Sequence, residues 1–108
     1  MDVVINGIIW HLYLTNNQNN LMTSYGQITF GVTDVNDKTI YIYSKLNDYM
    51  LNKVLIHELT HAWIFSYNYY LTIDEEEFLC SFIDTYANDI LNEADDIISK
   101  MIQFNIAR

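Results

Sequence analysis

The segment from Val54 to Trp63 constrains this chain more than any other, because it sets two histidines and a glutamate inside the most apolar helical stretch. From about Asn47 to Ser66 helix formers dominate. Leu51, Leu55, Leu59, Ala62 and Phe65 recur there at the spacing of one helix face. Val54, Ile56, Trp63 and Ile64 make the other faces apolar too, so this helix is expected to be central and buried. Polar side chains in such a place are costly unless they find partners.

The polar residues read His57-Glu58-Leu59-Thr60-His61, the pattern H-E-x-x-H. A four-residue spacing puts both imidazoles on one helix face, one turn apart, where two nitrogens can grip one metal ion. Glu58 stands at the edge of that face and can reach a metal-bound water without being a ligand itself. The expectation is a zinc-dependent metallopeptidase, with His57 and His61 as ligands and Glu58 as general base. A catalytic zinc takes a third protein ligand and leaves one position for water. The remaining histidine, His11, falls among strand residues and reads as structural; Tyr67 occupies the position of a third histidine in the extended motif. Cys80 has no second cysteine to help it and reads as a small buried hydrophobe. A carboxylate is left, and Glu75, Glu76 and Glu77 are the nearest donors. Glu76 is preferred because it shares a face with Cys80, Ile83 and Ala87, with Glu77 as the alternative.

The totals bound the rest. With 108 residues, 51% of them hydrophobic, the chain is expected to form a single domain over 1–108. Fourteen acidic against five basic residues give a formal charge of −9, which argues against nucleic acid as a partner. One cysteine forms no internal disulfide, and no stretch reaches the roughly 18 apolar residues of a spanning helix. A cytoplasmic protein without membrane contact is the expectation.

The order of elements predicts an α+β fold: about four strands in a small antiparallel or mixed sheet, then the motif helix, then a long C-terminal helix. Residues 3–14 read as a hairpin turning at Asn6-Gly7. Thr23–Val32 and Thr39–Tyr43 read as further strands joined by a turn over Thr33–Lys38, and Asn16–Asn20 as a polar loop. Asn68 is a candidate C-terminal cap for the motif helix. Asp74 is expected to cap a second helix, whose stripe Leu79, Ile83, Ala87, Ile90, Ala94, Ile97, Met101 runs on over 74–105, with a kink near Asn92 as the alternative. Glu93, Asp95 and Asp96 read as a solvated face. Trp10 and Trp63 are expected to pack the sheet against the motif helix.

His-Glu-Leu-Thr-His-Ala at 57–62, followed by Glu-Glu-Phe-Leu-Cys at 76–80, resembles short metallopeptidase-like proteins of phages and mobile elements. These are similar to minimal zincins related to the ImmA/IrrE peptidases. The resemblance covers most of the chain. It implies zinc held by His57, His61 and Glu76 or Glu77, with Glu58 as base. It also implies a strand beside the cleft, Thr39–Tyr43, that could pair with an extended protein or peptide substrate. Phe78 and Leu79 depart from the family, which has Ala-Asn after its glutamate. Two other readings stand beside the peptidase: a non-catalytic zinc-binding protein on the same scaffold, and a metal-free interaction domain. Tyr67, Tyr69 and Tyr70 are candidate donors to an oxyanion.

Overall fold

The computed structural model describes residues 1–104 and is α+β, a four-stranded mixed sheet followed by two helices. Strands β1 (Asp2–Ile5) and β2 (Ile8–Thr15) form the expected antiparallel hairpin, with Ile5 opposite Ile8. Its turn takes positive φ at both Asn6 (49°) and Gly7 (77°), the conformation whose twist matches that of the flanking strands. After β2, residues Gln18–Leu21 form a 3-10 turn capped by Asn17, where sequence reading expects plain loop.

Strand β3 (Gly31–Asp34) and strand β4 (Thr39–Tyr43) complete the sheet in the order β1-β2-β4-β3, and β4 runs parallel to β2. Two expectations change here. The segment Thr23–Val32 is not a strand. It closes on itself through the Thr23 hydroxyl and a positive-φ Gly26, and only its last two residues enter β3, which continues to Asp34. Thr39–Tyr43 is not the strand that borders the cleft. Ile40 and Ile42 are buried and both its edges are paired, so the free edge beside the motif helix belongs to β3.

Helix α1 (Asp48–Ser66) begins at Asn47, whose side chain accepts from the Met50 N–H at 2.8 Å. It ends as Asn68 allows. With φ at 60°, Asn68 donates to Phe65 O and Tyr69 donates to Ile64 O, which satisfies two terminal carbonyls. One side of α1 lies on the sheet, where Ile5, Trp10, Ile40, Ile42 and Ala62 form the core. Trp10 is fully buried and its indole N–H donates to Ser66 Oγ at 2.8 Å. Trp63 does not join it. It is half exposed and stacks on Tyr67, so α1 is apolar on more faces than the sheet and the next helix can cover.

Helix α2 (Ile73–Gln103) is continuous and without a kink at Asn92; residue 105 lies outside the described residues. Its cap is Thr72 rather than Asp74. Thr72 and Glu75 exchange side-chain and backbone hydrogen bonds in a capping box, which binds two free N–H groups where a lone Asp binds one. The first half of α2 packs on α1, and the second half extends past it. At about 1.5 Å per residue such a helix is roughly 46 Å long. It gives the molecule a long dimension of 55 Å and a radius of gyration of 16.7 Å. A compact domain near 100 residues has about 13 Å. Among the described residues no helix is long and apolar enough to cross a membrane.

Candidate metal centre

The α1–α2 contact brings the motif histidines against the acidic opening of α2. His57 and His61, one turn apart on α1, have ring centroids 5.2 Å from each other. Glu77 lies across both rings. Its Oε1 is 2.9 Å from His61 Nε2 and its Oε2 is 3.3 Å from His57 Nε2. Each Nδ1 faces a different carboxylate: Glu76 Oε2 at 2.6 Å from His61 Nδ1, and Asp84 Oδ2 at 2.7 Å from His57 Nδ1. The two histidines are thus held by their outer nitrogens and present both Nε2 atoms to one carboxylate, which is itself half exposed.

Asp84 is almost fully buried and bonds to Lys53 and Thr85 as well as to His57. Burial alone would push its carboxyl up, but hydrogen bonds from Lys53, His57 and Thr85, with the Lys53 charge, outweigh it and hold the group below the usual carboxylate range. Glu58 is shifted the other way. Burial raises its carboxyl above the usual value, and the Thr33 hydroxyl and the charges of His61 and His57 offset only part of that. Thr33 Oγ1 lies 2.9 Å from Glu58 Oε1 and 3.0 Å from the Glu58 backbone carbonyl. Among the described residues, no buried side-chain nitrogen or oxygen lacks a partner.

Gly31 lets β3 come this close. A Cβ there would stand 2.8 Å from both Glu58 Cγ and Val54 Cγ1, inside any normal contact. Between β3, the 22–29 segment, α1 and the start of α2 runs a cleft of about 1020 Å³, with His57, Glu58, His61, Glu76, Glu77 and Asp84 in its wall. Trp63 and the candidate tyrosines Tyr67, Tyr69 and Tyr70 are not part of that wall. His11 lies on β2 and pairs with Asp2 at 2.7 Å. Glu75 serves the helix cap.

Cys80 sits beneath the histidines. One ligand atom from each of His57, His61 and Cys80 falls within 4.8 Å of the others, a set able to hold a metal ion. Its environment favours the thiol over the thiolate. Burial, with Glu77, Glu76, Glu58 and Asp84 adding their charge, pushes Cys80 up to about 12.

Lys53, Thr33, Gly31 and Asp84 escaped the sequence reading as site residues. Asp84 left a trace, since Glu77, Ser81 and Asp84 form a polar line on α2 at helical spacing. Comparison with family models, with curated proteins and with solved structures returns no match.

Proposed function

We propose that this chain is a zinc-dependent metallopeptidase of minimal zincin type, in which His57, His61 and Glu77 hold the metal and Glu58 is the general base. The observation that carries this reading is the division of four ring nitrogens among three carboxylates. Glu77 faces both Nε2 atoms, while Glu76 and Asp84 hold the Nδ1 atoms. Histidine ligands are characteristically held in this way by an outer carboxylate, which fixes the tautomer and aims the free nitrogen at the ion. The geometry therefore favours Glu77, the alternative, over Glu76 as third ligand.

The donor set fits a divalent cation. Glu58, Glu76, Glu77 and Asp84 crowd one site with a single ammonium, that of Lys53, so a doubly charged ion offsets the surplus negative charge. Imidazole and carboxylate donors suit zinc. A zinc ion held there would supply Lewis-acid polarisation of a carbonyl and would lower the pKa of water from 15.7 to about 7. The chain's own residues do the rest. Glu58 takes a proton from the attacking water and returns it to the leaving amine, and its raised pKa suits that exchange. Thr33 fixes the Glu58 carboxylate, and the half-exposed Glu77 leaves the site open to the cleft. An extended peptide is the substrate class, lying along β3.

Cys80 supports a second reading, a closed structural site made of His57, His61 and Cys80. Elemental analysis and cleavage of a quenched fluorescent peptide library separate the two. Wild type and Cys80→Ala are expected to bind zinc and cleave, Glu77→Ala to lose metal, and Glu58→Gln to keep metal but lose cleavage. Zinc lost from Cys80→Ala but kept by Glu77→Ala would move the protein to the structural reading. Protein without zinc, or equal cleavage by Glu58→Gln, would remove the peptidase reading.

A further inference from the structure

Beyond Asn88, whose side-chain amide donates to Asn52 Oδ1 on α1 at 3.1 Å, every α2 residue as far as Lys100 is exposed, yet the apolar stripe continues. Ile90 is 54% exposed, Leu91 62% and Ile102 66%; Ile97, Ile98 and Phe104 are exposed as well. On a helix that does nothing but end in solvent, side chains of this kind gain nothing from their order. Here the order is strict. Ala87, Ile90, Ala94, Ile97, Met101 and Phe104 alternate in steps of three and four, the a and d positions of a heptad seam. Leu91 and Ile98 broaden the seam on its e side, and Glu93 and Lys100 occupy its g side. Asp89, Asp95 and Asp96 stand on the back of the helix, away from the seam.

We propose that this half of α2 is a self-association surface on which a second copy of the chain docks its own α2 in antiparallel orientation. Size and charge select that occupant and that direction. In an antiparallel pair an a residue meets a d residue, so Ala87 meets the partner's Phe104, Ala94 meets the partner's Ile97, and Ile90 meets the partner's Met101. Two of these three layers set a small side chain against a large one, which interdigitates without voids. The g positions then face each other, and Glu93 meets the partner's Lys100 twice by symmetry, while on the other flank Leu91 meets the partner's Ile98. A parallel pair has neither advantage. It stacks alanine on alanine and isoleucine on isoleucine, and it sets the Glu93 carboxylate against the partner's apolar Ile98. Antiparallel helices also oppose their dipoles favourably. The seam covers about 27 Å of helix at 1.5 Å per residue. It lies beyond the metal centre and does not depend on it.

Sedimentation velocity on the full chain over a concentration series tests this. The expected result is a monomer–dimer equilibrium with a Kd on the order of micromolar. Ile97→Glu places a charge in two layers at once and is expected to leave only monomer. Glu93→Lys and Lys100→Glu each turn two attractions into two repulsions, weakening the dimer about tenfold. Mixing those two variants restores wild-type affinity, because each then meets its opposite charge. All three substituted positions are exposed in the single chain, and circular dichroism checks the fold of each variant. A chain that stays monomeric at its highest soluble concentration overturns the proposal. So does a dimer that the charge exchanges leave unmoved, since its helices would not be antiparallel in this register.

Discussion

In the first half of α2 the side chains turned toward α1 include Glu76, Glu77, Cys80 and Asp84, three of them charged, and each charged one has a partner. In the second half the same side of the helix carries Ile90, Leu91, Ile97 and Ile98, and these face solvent. Simple amphipathic packing would place them the other way round, with apolar residues against the neighbouring helix and carboxylates in water. The contrast separates two uses of one helix. Burying carboxylates against histidines contributes little net stability, because desolvation consumes much of the attraction. The proposed metal site would give such an arrangement a use that stability alone does not. Exposing a regular apolar seam is unfavourable for an isolated chain and becomes useful only when another surface covers it.

Substitutions can break or sharpen this contrast. The largest effect is expected at the site end. Glu58→Gln should lower peptide cleavage by roughly 10²–10⁴-fold, the usual contribution of a general base, with zinc content unchanged in the same preparation. Next, Glu76→Gln and Asp84→Asn should each weaken zinc affinity by about 10–100-fold in a competition titration with a chelator, since they hold the ligands' outer nitrogens. Asp96→Asn, a similar change on the free half, should leave that affinity alone. An equal effect of Asp96→Asn would erase the distinction between the halves.

Gly31→Ala comes next and acts on stability. Its Cβ would press on Glu58 Cγ and Val54 Cγ1 at 2.8 Å, so denaturant unfolding should show a loss of about 1–3 kcal/mol. The smallest effect is at the cap, where Thr72→Ala should cost about 1 kcal/mol. Its partner adds a pH signature. The Thr72 backbone N–H, and then its hydroxyl, hold the Glu75 carboxyl below its ordinary 4.5. A depressed carboxyl stabilises the fold above its unfolded pKa, and that contribution vanishes as pH falls through the lower folded value. The difference between wild type and Glu75→Gln should therefore be constant near neutrality and close below about pH 4.5.

What the sequence could reveal follows the range of the forces involved. The placing of His57 and His61 one turn apart on a helix, the Asn6-Gly7 turn and the Asn68 cap depend on a few neighbouring residues, and all three appear in the structure where the chain predicts them. Sequence reading puts the helix cap at Asp74, yet the capping-box spacing of Thr72 and Glu75 is itself a local signal in the chain. Other differences lie beyond local reach. Whether Glu76 or Glu77 faces the Nε2 atoms depends on how α2 is rotated about its axis, and Cys80 and Asp84 set that rotation by packing on α1. Which strand borders the cleft depends on β4 entering the sheet parallel to β2, a pairing between residues 28 positions apart, as His11 and Thr39 are. The proposed metal site combines His57, Glu58 and His61, which the sequence singles out, with Thr33 and Gly31 around Glu58 and Glu77 facing the histidines.

The Thr33 hydroxyl has one proton and two acceptors, the carboxylate of Glu58 and that residue's own carbonyl. With Glu58 ionised, the hydroxyl donates to the carboxylate, and the carbonyl keeps its bond within α1. With Glu58 protonated, the new O–H can donate to Thr33 Oγ1, and the hydroxyl turns to the carbonyl. Either way the buried pair stays fully hydrogen-bonded, and nothing but a hydroxyl rotor needs to move. If Glu58 is the general base, Thr33 would act as a valve beside a proton store, letting the carboxyl fill and empty without leaving an orphaned donor or acceptor behind β3.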